Sequence, residues 1–293
     1  IFEEKREIGD KVCSGLFSER ILGFIPQSCS LIQNTINSVI LHFPGKTITI
    51  KFSKKFYVMS HTDLNKLMEN LAQKAGVKIN LNHNISALSR KANSSSPFIN
   101  GEEFDKVIGC DGANSFVRKE LNLPELQYRL GILGFLEEKS NLNFVEAWPC
   151  QKGFLWKIPR GAKIEYGIIA DSLKAKIIFD KFLKKNNIQL TGIRSRIIPQ
   201  GFAVPFSSSI TLCGDAAGLT KPWSGGGVVW GLTAAEILLK TFPDFLNYHR
   251  RMKRFFLPRI AFSKIIVKII YYIGFKTPFL LPKKVRMESD FLL

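Results

Sequence analysis

The chain has 293 residues, 45% of them apolar, and its 42 lysines and arginines outnumber 24 acids for a net charge of +18. A chain of that length buries a sizeable core in one large or two modest domains, and its composition is that of an ordinary globular protein. The five cysteines (Cys13, Cys29, Cys110, Cys150, Cys213) form no C-x-x-C pair and no metal-ligand spacing, which excludes a zinc ribbon and predicts a reduced, intracellular protein without a metal site. Cys110 and Cys213 lie inside apolar strand-like runs and read as inert core residues. The positive charge leaves nucleic acid, a membrane surface and anionic substrates open as partners. It also has a bland origin, because Lys, Ile, Asn and Phe are all plentiful, as A/T-rich coding produces.

In chain order, the opening "IFEEKREIG" looks like the end of a strand, and the absence of an initial Met places the expected N-terminus upstream. Helical spacing of Leu64, Leu67, Met68, Leu71 and Ala75 predicts a helix that Gly76 stops, and Val77 to Leu81 then reads as a strand. "KANSSSPFINGEEF" predicts a polar loop and a hairpin turning at Asn100-Gly101. Lys106 to Cys110 predicts a buried strand that delivers Asp111-Gly112 to a short helix. From about residue 127 to 202, short runs alternate apolar and polar residues as an antiparallel sheet does, with a helix over Ile177 to Lys185. Ile210 to Leu239 reads as strand, glycine-rich turn and helix. The expected fold is therefore α/β: a doubly wound nucleotide-binding domain (1–38, 61–123, 203–241), an antiparallel-sheet substrate domain interrupting it (39–60, 124–202), and a basic amphipathic helical tail (242–293).

The glycine-rich turn is the densest chemical signal. A strand delivering Gly214-Asp215 puts a carboxylate where α/β folds bind ligands, and Ala216, Ala217 and Gly218 leave room for close backbone approach. Pro222 fixes the turn, and Gly225, Gly226 and Gly227 open a helix near Val228. The free N–H groups and positive dipole end of that helix favour a phosphate or a reduced flavin's negative edge. Glu3 and Asp111-Gly112 end strands in the same manner, and Glu3 is placed to accept hydrogen bonds from ribose hydroxyls.

"VIGCDGANSFVR" and "CGDAAGLTKPWSGGGVVWGLTAAEIL" resemble the second and third FAD motifs of the p-hydroxybenzoate hydroxylase-like flavoproteins. "GDKVCSGLFSERI" and "GFLWKIPRGAKIEYGIIA" narrow the resemblance to the geranylgeranyl reductase family, which saturates prenyl chains of lipids and of chlorophyll and quinone precursors. It runs from Ile1 to about Leu239 and implies FAD as cofactor, with the first βα unit and its G-x-G-x-x-G lying before Ile1. It further implies that Glu3 (or Glu4) binds the adenosine ribose, that Asp111 and Gly112 lie near the nucleotide portion, and that Asp215 holds the ribityl chain. Gly214, Pro222 and Gly225 to Gly227 would flank the flavin, and Cys13 would take a catalytic role near its reactive face. "FLWKIPR" looks like the family's lipid-cavity motif, with Phe154, Trp156, Ile158, Pro159 and Arg160 binding substrate and Ile158 replacing an aromatic residue. Where relatives often carry a cofactor-contacting arginine, this chain has His61.

Reducing an isolated alkene needs a hydride on one face, a proton on the other and exclusion of water. A prenyl tail brings ~0.8 kcal/mol of transfer energy per buried CH₂. Phe154, Trp156 and Ile158 alternate and so share one strand face, which suits either a cavity wall or a sandwich core. Cys13 has two open roles, proton donor or packing residue. The four histidines are scattered, so no Ser-His-Asp set or zinc cluster competes.

The tail mixes Arg and Lys with Phe, Ile and Tyr, and its apolar stretch Ile269 to Phe275 is far below the ~20 residues of a span. Lys264 and Lys268 share a face opposite Ile266 and Ile270, which predicts one or two amphipathic helices broken at Pro258, lying on an anionic membrane or packing on the body. The aromatic residues form no nucleic-acid module, so no nucleic acid is expected. The expected protein is thus an FAD-dependent reductase of prenyl double bonds in a lipid or isoprenoid precursor. It would be cytoplasmic, peripheral on the inner face of the membrane, and reduced by NADPH or a ferredoxin-like carrier. The alternatives are a flavin monooxygenase of the same superfold and a non-catalytic lipid-binding paralogue.

Overall fold

The computed structural model describes residues 1–9, 12–90 and 96–287. Its strands are β1 (Leu16–Ser18), β2 (Ile32–Phe43), β3 (Lys46–Met59), β4 (Leu88–Arg90), β5 (Pro97–Ile99), β6 (Glu102–Glu103), β7 (Val107–Gly109), β8 (Gln127–Leu136), β9 (Phe144–Cys150), β10 (Gly153–Pro159), β11 (Ile164–Ala170), β12 (Thr191–Gln200), β13 (Ile210–Leu212) and β14 (Lys284–Met287). Its α-helices are α1 (Ile21–Phe24), α2 (His61–Lys74), α3 (Phe116–Glu120), α4 (Ala175–Lys185), α5 (Val228–Thr241) and α6 (Phe245–Lys276). The chain divides into two compact units, one of residues 1–10, 65–127 and 199–261, the other of 11–64, 128–198 and 262–293. Residues 11–38 therefore group with the sheet-based unit rather than with the nucleotide-binding part, because β1 and β2 are both hydrogen-bonded to β3.

The second unit is built on a nine-stranded sheet in the order β1-β3-β2-β9-β10-β11-β8-β12, with β14 also pairing β3. The alternation read from the sequence becomes two faces. On one, Leu155, Tyr166 and Ile168 pack with Phe179 of α4. On the other, Ile158 packs with Ile36, Val58 and Val145, and Trp156 lies against that cluster. All seven residues of β11 are buried, as befits a strand covered on both faces.

In the first unit, β7 and β13 pair in parallel, Ile210 to Val107 and Leu212 to Gly109. Trp230, Phe245, Tyr248 and Phe256 are fully buried in this unit, and the Tyr248 hydroxyl donates to the Leu212 carbonyl at 3.1 Å. Asn100 (φ 48°) and Gly101 (φ 89°) turn the β5–β6 hairpin as expected. Residues 91–95 of the polar loop before it lie outside the described residues.

Several expectations need correction. Val77 to Leu81 is not a strand: only Asn80 bridges Phe2, between left-handed Gly76 and Asn82, which turn the chain away on either side. The Lys106–Cys110 strand shortens to β7 and is only half covered, since Gly109 packs on α3 while Ile108 and Cys110 are exposed on the opposite face. Cys110 is therefore not a core residue, whereas Cys213 is buried with its thiol directed at the Gly231 carbonyl. The tail helix does not break at Pro258; α6 runs through it, the lost N–H of one exposed residue being outweighed by the turns on either side. Its exposed apolar residues include Ile270 but not Ile266, which is half-buried, and extend to Phe262, Ile265, Ile269 and Tyr272.

Candidate active site

In the first unit the strand β13 ends in a 3₁₀ turn over Gly214–Ala217, entered at Gly214 (φ 63°) and left at Gly218 (φ 78°). No atom lies within 4 Å of the position a Cβ on Gly214 would take, so the backbone there is open to a ligand. Lys221 N–H donates to the Gly226 carbonyl (3.1 Å) and Gly225 N–H to the Lys221 carbonyl (2.8 Å), closing a small loop around buried Pro222. Gly227 caps α5 without any side-chain bond, and no acid stands in the first turn of that 14-residue helix. The positive dipole end of that helix suits an anionic ligand. A Cβ on Gly227 would come within 2.8 Å of Asp215 Oδ1, so glycine is what lets the carboxylate sit beside the helix start. Open backbone, a carboxylate and an uncapped helix end together fit the group the sequence implies, a flavin dinucleotide.

Asp111 does a local job. Its Oδ2 accepts from Val117 N–H at 3.0 Å and so caps α3 beside Ser115, whose Oγ accepts from Arg118 N–H. The buried Arg118 guanidinium then donates to the Ala113 carbonyl (2.6 Å) and the Ala216 carbonyl (2.8 Å). It ties the Asp111-Gly112 loop to the Gly214–Ala217 turn. Glu3 pairs by its backbone with Asn80 and His83, and its carboxylate accepts from Lys5 N–H. Glu4 is exposed.

In the second unit, the hairpin β10–β11 sets Trp156 opposite Gly167 and Ile158 opposite Glu165. The Trp156 indole occupies the space a side chain on Gly167 would need, 2.2 Å from the nearest ring atom. Its Nε1–H donates to Glu165 Oε1 at 2.8 Å. Arg160 Nη1 donates to Glu165 Oε2 at 2.9 Å and to the Ser14 carbonyl at 2.6 Å, while Nη2 donates to the Met59 carbonyl at 2.9 Å. Burial pushes the Glu165 carboxyl up to about 7, against the opposing pull of Arg160 and the Trp156 hydrogen bond. Arg160 thereby anchors the loop of Cys13, whose sulfur accepts from Gly15 N–H at 3.5 Å. Gly15 is left-handed (φ 62°), and a Cβ there would lie 2.1 Å from the Met59 carbonyl oxygen, so the loop needs glycine.

The structure thus brings Asp111, Gly112, Gly214 and Asp215 under one arginine, with Pro222 and Gly225 to Gly227 forming the adjoining turn. It joins Trp156 and Arg160 of the sheet to the Cys13 loop. Phe154 is half-buried beside Trp156 (5.9 Å between rings), whereas Ile158 and Pro159 are buried. His61 is buried at the start of α2, near Phe17. Sequence reasoning missed Arg118 and Glu165. Each carried a signal: a charged residue inside an apolar run, with a partner at hairpin or helix-cap distance.

An α/β flavin-binding fold with a sheet-based second unit is the class these features define. Residues 41–161 match the FAD binding domain family, a span that includes Asp111-Gly112 and the Phe154–Arg160 strand but not the Gly214–Gly227 turn. Digeranylgeranylglycerophospholipid reductase of Methanococcus vannielii is 28% identical across 92% of this chain and 80% of its own. A geranylgeranyl bacteriochlorophyll reductase-like protein from Thermoplasma acidophilum shares the fold with a TM-score of 0.78 at 18% identity, over 91% of this chain and 80% of that one. A flavin-dependent halogenase from Xanthomonas campestris shares it with a TM-score of 0.72 at 13% identity, over 92% and 71%. The chain thus carries a match to the FAD binding domain and is similar in sequence and in fold to geranylgeranyl reductase-like proteins.

Proposed function

We propose that the protein is an FAD-dependent reductase that saturates prenyl double bonds of a lipid or isoprenoid precursor. The observation that carries this reading is Arg160, one side chain that joins the Trp156 strand, through buried Glu165, to the Cys13 loop. An apolar strand face and a thiol in an anchored loop suit delivery of a proton to a water-excluded alkene. The bound flavin, when reduced, supplies the hydride. Asp215 and the Gly225–Gly227 turn hold that cofactor, Phe154 and Trp156 line the prenyl chain, and Cys13 supplies the proton.

The same reading includes a lipid surface as partner and NADPH or a ferredoxin-like carrier as reductant. No helix among the described residues is long and apolar enough to cross a membrane. Phe262, Ile265, Ile269 and Tyr272 nevertheless form an exposed apolar stripe at helical spacing along α6, with Lys264 and Lys268 beside it. Such a stripe suits peripheral binding on an anionic inner leaflet. The test is reoxidation of the photoreduced, FAD-loaded protein under argon. A geranylgeranyl lipid should restore the oxidised flavin absorbance and its fully saturated analogue should not; a spectrum indifferent to both lipids would reject the reductase.

A further inference from the structure

A second cluster of charge lies away from the residues assigned above. Arg251, Arg254 and Arg259 line a cavity of about 340 Å³ with Phe255 and Ile237, on the first half of α6 and on α5. Arg251 and Arg254, three residues apart, are neighbours on the surface of α6, and Arg259, farther round the helix, reaches the same cavity. Among the described residues no carboxylate lines the cavity. The acid next to Ile237 in the chain, Glu236, is paired with Lys240 at 2.5 Å. Arg259 is fixed in place: its guanidinium stacks on the Phe255 ring at 3.8 Å and donates to the Phe255 carbonyl at 2.8 Å.

Arg251 and Arg254, three residues apart on one helix, repel one another, and an anion that accepts from them removes that cost. The remaining lining is a phenyl ring and an isoleucine, which offer nothing to a hydrated free anion but cover the apolar root of an amphiphile. We infer that this cavity binds the phosphate of an anionic glycerophospholipid, with the phosphate among Arg251, Arg254 and Arg259 and the start of the acyl chains on Phe255 and Ile237. The inference rests on the reading of the protein as one that works at a lipid surface, and it assigns that surface a specific headgroup site distinct from the apolar stripe.

The test uses the full chain and dihexanoyl phosphatidylglycerol below its micelle concentration, titrated calorimetrically beside inorganic phosphate. The short-chain lipid should bind at least tenfold more tightly than phosphate. R251Q/R254Q should weaken it more than tenfold, whereas K184Q/K185Q, which removes the same charge from α4, should change it less than twofold. Both arginines are exposed, so folding is checked by an unchanged melting temperature. Equal affinity for lipid and phosphate overturns the lipid assignment, and equal losses in the two double variants overturn the site in favour of general charge. Sedimentation with vesicles of phosphatidylcholine and phosphatidylglycerol separates the two levels. Wild-type pelleting with anionic vesicles that survives R251Q/R254Q, without short-chain binding, rejects the cavity and leaves the peripheral reading standing. No pelleting at all rejects the peripheral reading.

Discussion

Arg160 and Glu165 form a buried ion pair at 2.9 Å, their side chains 11% and 0% exposed, and the arginine spends its other donors on the carbonyls of Ser14 and Met59. Removing one member of such a pair strands the other. Arg160→Met should therefore destabilise the protein by about 3–5 kcal/mol. Arg160→Lys should fall between, because one ammonium cannot span three acceptors held in a fork. Denaturant unfolding at pH 8 measures both; an Arg160→Met protein as stable as wild type would remove the pair from the account.

The same pair makes stability depend on pH. The Glu165 carboxyl is raised from 4.5 to about 7 in the fold, so the native chain holds this proton more tightly than the unfolded one. Its contribution is complete below about pH 4.5, erodes as pH rises, and is gone above about 7, a change of roughly 3 kcal/mol. Glu165→Gln cannot titrate and should flatten that slope. Unfolding free energies at pH 5 and pH 8 decide it: an equal slope in wild type and variant would show that Glu165 does not titrate in this range.

Flavin retention tests the other unit. Asp215→Ala removes the carboxylate beside the α5 start, and Gly227→Ala pushes a methyl to within 2.8 Å of its Oδ1. Both proteins should lose yellow absorbance on gel filtration while wild type keeps it. Colour retained in both would count against Asp215, and a colourless wild type would favour the non-catalytic paralogue.

Cys13→Ser keeps the size of the side chain and its place in the Arg160-anchored loop but raises the pKa of its proton several units. FAD should stay bound and product formation should slow at least tenfold. Unaltered turnover would reduce Cys13 to packing.

Much of this was legible where the sequence is locally periodic or glycine-rich. The α2 spacing from Leu64 to Leu71, the Asn100-Gly101 turn and the strand–turn–helix from Ile210 are set by short-range preferences, and they stand where they were expected. What was hidden depends on pairing across long separations. That residues 11–38 join the sheet follows from Leu16 meeting Val58 and Ile36 meeting Phe56, which no local pattern announces. Glu165 looks like a mistake in an apolar strand until Arg160 and Trp156 are placed on it. Pro258 looks like a break, and only the length of helix on both sides shows why it is not.

The central claim, reduction of a prenyl chain by the protein's own flavin, is tested most directly by mass spectrometry of the lipid. FAD-loaded protein, photoreduced under argon and mixed with a geranylgeranyl phospholipid, should yield products heavier by whole pairs of hydrogens, and none once the flavin is left oxidised. A lipid of unchanged mass under argon, with an oxygen-bearing product only when air is admitted, would contradict the account and return the protein to the monooxygenases that share its fold.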